Sequence, residues 1–393
     1  MKKVAILTIN DYSNYGNRLQ NYATQEVLKS LGFSVETLVN TNGINNDKEI
    51  ETKSNNKRSK LQKLKNMSIK GIVLKIAFRF WKIFNKNKID RYGEKRLQTF
   101  KLFTKDFIQE TKFSISDDNI SKELLDQYDF FITGSDQVWN PYFRYGSSID
   151  FLTFAPKNKR VAYAPSFGIT DIPSQYVGNY QVWLSEMSSL SIREKAGKEI
   201  IKKLTGRESE VLVDPTLMLT KEKWLSIAKP SPNKPTKNYI LTYFFGGVSE
   251  EIRNRIKKIS KENNLEIVNL ADITDLETFI AGPSEFLDYI NSASLFCTNS
   301  FHGCVFSILM QIPFIAFQRE GNIPSMNSRI ETLLSTFNLQ SRFSTNVLTN
   351  EQVFAKDYSH IDLIIESERE KAINYLKRAM LLDSKINSTM INA

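Results

Sequence analysis

One stretch of this chain admits few folds. An apolar run over 293–297 breaks at Thr298-Asn-Ser-Phe-His302-Gly303, and a second carries on through Ile312-Pro313 to Phe314-Ile-Ala-Phe317. That is the grammar of strand, tight polar turn, buried helix and next strand. In an open α/β sheet such a turn lies beyond the carboxyl end of a strand, where ligands bind. The helix start has N–H groups without intrahelical acceptors, which suit an anion. His302, one of two histidines in the chain, stands in this turn. A side chain that exchanges protons near neutral pH beside an anion cradle can act as general acid or base. A histidine that only caps the turn, beside a Gly303 that only permits close packing, would leave the same local pattern. Both readings stand on the residues alone.

The same grammar opens the chain. Residues 3–9 read as a buried strand, 10–17 as a polar loop containing Asn14, Gly16 and Asn17, 18–31 as an amphipathic helix and 33–39 as a second strand. This βαβ start belongs to a doubly wound sheet. It is not a dinucleotide fingerprint, because only Gly16 is present where three glycines are needed. Residues 128–133 read as another strand, running into Gly134-Ser-Asp-Gln-Val-Trp139-Asn-Pro141. There Ser135, Asp136 and Gln137 can hydrogen-bond sugar hydroxyls and Trp139 can stack on a sugar face. The plainer alternative makes Asp136 a helix cap and Trp139 a core residue. Further strands are expected at 151–154, 160–164, 190–194 and 211–213, the last ending at Asp214-Pro215. A Pro-, Lys- and Ser-rich stretch, 229–237, reads as a linker. Beyond it, strands at 239–245 and 265–270 alternate with helices at 249–263, 282–290, 323–337 and 363–382.

The expected fold class is α/β, with two Rossmann-like domains facing a cleft in a GT-B-like layout. The expected boundaries are 1–228 for the first domain, 229–237 for the linker, 238–362 for the second, and 363–393 for a terminal helix that packs back across the first.

Charge narrows the partners. The net charge is +10, yet the basic insertion at 53–101 alone holds sixteen Lys/Arg against the two acids Asp90 and Glu94, so the remainder is net acidic. A chain basic in one segment only is a poor nucleic-acid binder, and no nucleic acid is expected. Within that segment, 61–85 reads as a basic amphipathic helix with Ile69, Ile72, Val73, Ile76, Phe80, Ile83 and Phe84 on one face and Lys70, Lys75, Arg79 and Lys82 carrying charge. That pattern fits a helix lying in a membrane interface; a stripe packed on the protein's own core is the competing reading. No apolar run approaches the roughly 20 residues of a span, and Met1-Lys-Lys leads into too short an apolar run for a secretory signal. Cys297 and Cys304 form neither a disulfide framework nor a zinc pattern. The expectation is a cytoplasmic protein, peripheral on the inner face of the membrane through 61–96, with no metal and no cofactor.

Taken together, Asn14-Tyr-Gly-Asn17, Gly134-Ser-Asp-Gln-Val-Trp139, Ser191-Ile-Arg-Glu194, Val213-Asp-Pro-Thr216 and Ser300-Phe-His-Gly303 resemble, in order and spacing, the polysaccharide pyruvyl transferase family. The resemblance implies transfer of the pyruvyl group of phosphoenolpyruvate onto a sugar of a lipid-linked polysaccharide precursor, as a cyclic ketal. It implies His302 as general acid/base and Arg193 as the cation on the donor's phosphate or carboxylate. Ser300, Gly303 and Arg329 are assigned with it to the donor, and the first domain, through Asn14, Asn17, Ser135, Asp136, Gln137 and Trp139, to the acceptor. Some members carry Arg two positions before the histidine, where this chain has Ser300. A second donor cation must then come from elsewhere, with Arg329 and Arg319 as candidates. The rival readings are a nucleotide-sugar glycosyltransferase of the same fold and a non-catalytic carbohydrate-binding protein at a membrane surface.

Overall fold

β1 (Lys3–Leu7) is buried at four of its five positions, as a strand covered by helices on both faces must be. In the computed structural model, which describes residues 1–41, 69–319 and 327–381 and only the backbone of 69–76, β1 pairs in parallel with β2 (Ser34–Asn40) and β4 (Phe130–Thr133). With β3 (Glu110–Ile115) and β5 (Arg160–Ala162) they form a parallel sheet in the order β3-β2-β1-β4-β5. A ribbon of β6 (Ser191–Ile192) and β7 (Glu210–Val211) joins the β5 edge through the single bridge Val161–Ser189. The second sheet is also parallel. It contains β8 (Tyr239–Tyr243), β9 (Glu266–Asn269), β10 (Leu295–Thr298) and β11 (Phe314–Ala316) in the order β11-β10-β8-β9.

Strand order reverses between β1 and β4 in the first sheet and between β8 and β10 in the second. Each reversal opens a crevice at the carboxyl ends of its strands. The fold is thus α/β with two Rossmann-like units, as expected. The Ile361–Ala379 helix returns to the first unit: Ala372, Tyr375 and Leu376 pack with Val4, Ile6 and Val35, and the Tyr375 hydroxyl donates to the Ala162 carbonyl at 2.6 Å.

Two local expectations differ. Residues 148–151 form a 3-10 turn, not the start of a strand, and Leu152 is left-handed with φ 57°. The turn is pinned by Asp150. Its carboxylate takes Arg144 at 2.7 and 3.0 Å, while its carbonyl accepts from Thr133 Oγ1 and Trp139 Nε1. β3 was not expected because it is an edge strand of polar sequence that buries only Thr111 and Ile115. Of the expected elements, the polar stretch from 42 to 59, helix positions 61–68 and 323–326, and the chain after 381 lie outside the described residues.

The two units share one core. Tyr15, Leu19 and Tyr22, from the Tyr15–Ser30 helix, cluster with Phe286 and Leu287 of the Pro283–Ser292 helix and Phe306 of the Phe301–Met310 helix. Trp224 is wedged between them, edge-on to Tyr22 at 5.5 Å and to Phe306 at 5.0 Å, and its indole N–H donates to the Thr216 carbonyl at 3.0 Å. Deleting so large a buried side chain costs about 3–5 kcal/mol. Trp224→Ala should therefore lower the denaturant midpoint of unfolding by an amount of that order; a midpoint within error of wild type would mean the two units are held together elsewhere.

Candidate active site

Both crevices open into one cavity of about 570 Å³. Its first wall is the loop after β1, with Asn10, Asp11, Tyr12, Asn14 and Asn17, and the loop after β4, with Asp136 and Gln137. Its second wall is Phe245 after β8, Asn299 to His302 after β10, Arg319 after β11, and Arg329 on the Ser328–Thr336 helix. Asn299 ties the second wall together: its Oδ1 accepts from Phe245 N–H at 2.7 Å and its Nδ2 donates to Phe245 O at 3.0 Å.

His302 sits in the first turn of the Phe301–Met310 helix. Ser300 caps that helix, its Oγ accepting from Gly303 N–H at 3.2 Å. The imidazole Nε2 faces the carboxylate of Asp214 at 3.5 Å, a contact across the two units that is longer than a formed hydrogen bond. The other edge of the ring rests on the backbone of Gly16, where an added Cβ would stand 2.1 Å from Nδ1. Only glycine leaves room for the ring. This gives Gly16 a role that its place in the loop sequence did not reveal.

Asp214 is wholly buried yet charged. Arg193 Nη1 donates to it at 2.5 Å, Ser135 Oγ lies at 2.9 Å, and its other oxygen accepts from Thr216 N–H at 3.0 Å and Thr216 Oγ1 at 2.7 Å. Burial alone would raise its pKa. The facing His302, the Arg193 guanidinium and the Thr216 amide outweigh burial and hold it well below the usual carboxylate range. Arg193 also reaches Asp136 at 3.3 Å and lies over the Phe301 ring at 4.3 Å. Asp136 has a left-handed backbone, φ 67°, and accepts in turn from the Asn17 amide.

Most of the residues expected to act together are brought together: His302, Ser300, Asn14, Asn17, Asp136, Gln137, Arg319 and Arg329 all line the cavity. Four expectations need revision. Trp139 is fully buried and stacks on Phe151 at 5.1 Å with an interplanar angle of 2°, so it is core and meets no ligand. Ser135 is buried too; its N–H donates to Gln20 Oε1 and its carbonyl accepts from Thr8. Gly303 faces β10, where a Cβ would meet Thr298 Oγ1 at 2.9 Å, and its N–H is taken by the cap. Arg193, with a side chain only 1% exposed, already serves two carboxylates and does not line the main cavity.

Arg329 is the opposite case. It is 8% exposed, its Nε is buried without a partner, and it forms no ion pair among the described residues. Burial, then the neighbouring Arg193, lowers its pKa to about 10. It stays protonated at neutral pH, so the cavity wall carries a desolvated, unmatched cation. Cys297 and Cys304 are free and buried, and burial pushes both thiols up to about 12, which makes them inert near neutral pH.

The chain resembles several solved structures at low identity. UDP-GlcNAc 2-epimerase from Neisseria meningitidis bound to UDP-GlcNAc is 10% identical, with a TM-score of 0.42 and 100% of each chain covered. S. aureus MnaA with UDP is 9% identical, with a TM-score of 0.44, covering 97% of this chain and 98% of that one. Phytolacca americana UGT2, complexed with UDP-2fluoro-glucose and pterostilbene, is 10% identical, with a TM-score of 0.42 and 99% of each chain covered. No curated protein matches the sequence. The family model for polysaccharide pyruvyl transferase matches residues 14–321, most of the chain, and the protein belongs to that family.

Proposed function

We propose that this protein transfers the pyruvyl group of phosphoenolpyruvate onto a sugar of a polysaccharide precursor, forming a pyruvate ketal, with His302 as the general acid. The observation that carries the reading is the pairing, in one cavity of a member of this family, of His302 backed by Asp214 with the unmatched cation of Arg329. Phosphoenolpyruvate brings a carboxylate and a phosphate. Once its methylene carbon is protonated, its central carbon becomes electrophilic. A sugar hydroxyl then adds and gives up its proton, phosphate leaves, and a second hydroxyl closes the ring with loss of another proton.

Each requirement has a residue in place. The His302 ring packs on Gly16 with Nε2 facing Asp214 at 3.5 Å, which sets the imidazole at the cavity wall beside a carboxylate that can stabilise its protonated form. Arg329, with Arg319 over Phe245 at 5.0 Å, supplies positive charge to the donor. Asp136, Asn14, Asn17 and Gln137 present acceptors and donors to sugar hydroxyls. In this reading Arg193 is a positioning residue that holds Asp214 and Asp136, and the two mobile charges of the donor fall to Arg329 and Arg319.

The proton role is tested at two positions. His302→Gln should lower kcat with phosphoenolpyruvate by roughly a hundredfold or more. Gly16→Ala, which displaces the ring without touching its chemistry, should cause a loss of similar order with circular dichroism unchanged. Full activity in a folded Gly16→Ala protein would show that the ring position is not critical.

Arg329 gives a second test with two readouts. A buried charge without a partner costs stability, so Arg329→Leu should leave the melting temperature unchanged or raise it. The same change should raise the KM for phosphoenolpyruvate by about tenfold or more, since hydrogen bonds to charged groups contribute about 1.5–3 kcal/mol, while the acceptor KM stays put. An unaltered donor KM would remove Arg329 from the donor site.

A further inference from the structure

Among the described residues, four exposed large hydrophobic side chains gather on one helix. In the Ile69–Phe84 helix, Phe80, Ile83 and Phe84 are 57%, 64% and 84% exposed, and Phe78 stacks in the open on Trp81 at 5.8 Å. None of the residues from 77 to 84 joins a hydrophobic core cluster. Exposed Arg79, Lys82, Lys86 and Lys88 stand among these rings, with Lys82 5.6 Å over Phe78, and no acid occurs from 69 to 89. A helix with aromatic and aliphatic groups interleaved with cations, and among the described residues neither partner nor counter-charge, matches the chemistry of an anionic lipid surface. A soluble protein partner would have to supply both an apolar groove and acids.

The helix leads into an element fastened beside the cavity. After Asn85 the chain continues as the Lys86–Phe107 helix. Its Arg96 is buried and donates to the Tyr15 hydroxyl at 2.8 Å, to the carbonyls of Phe279 at 2.7 Å and Ala281 at 3.1 Å, and to the Ser13 carbonyl at 3.2 Å. One guanidinium thus fastens this helix to both units beside the loop after β1. On the same helix, Leu97 lines the mouth of the cavity. No described helix is long and apolar enough to cross a membrane.

We propose that residues 77–88 dock this protein reversibly on an anionic phospholipid surface, and that the Arg96-anchored helix sets Leu97, at the cavity mouth, about 14 Å along its axis from Lys88 at the end of that contact. The acceptor reaches the cavity as a sugar chain extending from a lipid in the same surface. This last step rests on the pyruvyl transfer reading; the docking does not.

The test is co-sedimentation of the full chain with vesicles of phosphatidylglycerol in phosphatidylcholine, and of phosphatidylcholine alone. Wild type should bind the anionic vesicles at low salt, release as salt rises, and ignore the neutral ones. Arg79→Glu/Lys82→Glu/Lys86→Glu should lower the partition coefficient about a hundredfold or more, and Phe80→Ser/Ile83→Ser/Phe84→Ser should abolish binding. All these side chains are exposed, so both variants should fold and keep turnover on a short water-soluble sugar acceptor. Failure of wild type to bind anionic vesicles overturns the proposal. So does a dimer in sedimentation velocity that the serine variant dissolves, since a second copy would then be the partner. Vesicle binding without turnover of phosphoenolpyruvate would leave the docking standing and sink only the chemistry above.

Discussion

The ion pair between Arg193 and Asp214 is the constraint from which the site is built. Asp214 follows β7, Arg193 follows β6, Ser135 follows β4, and all three meet in a space that excludes water. A buried pair of this kind is weak evidence for stability, because desolvating two ions offsets most of their attraction. Its value is positional. Arg193 is shared between Asp214 and Asp136, so the carboxylate that faces His302 and the one that lines the cavity are held in fixed relation. Phe301, one residue before His302, closes the arrangement by lying against the Arg193 guanidinium. The first unit thus supplies a rigid set of charges, and the second brings an imidazole up to it.

That division explains which parts of the structure could be read from sequence. Strand-turn-helix repeats depend on neighbours in the chain, so the inner strands of both sheets and the loops at their carboxyl ends were readable, while the polar edge strand β3 was not. His302, Asp136 and Asn17 followed because polar side chains at strand ends have few other places to point. The failures have a different origin. Gly16 is required by the ring of a residue in the other unit, and Asp214 reads locally as a turn former before proline. Trp139 lies beside polar residues in sequence but stacks inward on Phe151. Arg193 was expected on the donor's phosphate or carboxylate, yet its partners are Asp136 and Asp214 from two other loops. Which carboxylate an arginine serves is a property of the assembled sheet edge, and no local spacing carries it.

Arg329 and Arg193 together show how the cavity divides its charge. Both guanidinium groups lie against the Phe301 ring, Arg193 at 4.3 Å and Arg329 at 5.8 Å, and each raises the cost of the other's positive charge. Arg193 is compensated by two aspartates. Arg329 forms no ion pair among the described residues, and the buried Glu194 is engaged through Oε1, which accepts from Ser166 Oγ and from the N–H groups of Phe167 and Gly168. Burial raises the pKa of Glu194, against the opposing pull of Arg193 and Arg329. A dianionic ligand entering the cavity would relieve repulsion already present in the empty protein.

Preorganisation follows from how the two walls are braced. Asn299 bonds both the N–H and the carbonyl of Phe245, Tyr15 reaches Ala281, and Arg96 ties Ser13 to Phe279 and Ala281. The Asn299 bonds brace the second wall within its own unit, the Tyr15 and Arg96 contacts join the two units beside the loop after β1, and the shared core of Tyr15, Phe286 and Phe306 fills the space beneath. Hinge closure between the units would have to break buried bonds to a guanidinium, each worth about 1.5–3 kcal/mol. The site therefore meets its ligands largely formed, and its electrostatic stabilisation needs little reorganisation at the moment of reaction. The two walls differ in charge: the unpaired cation of Arg329 stands on the second unit, amides and a paired carboxylate on the first.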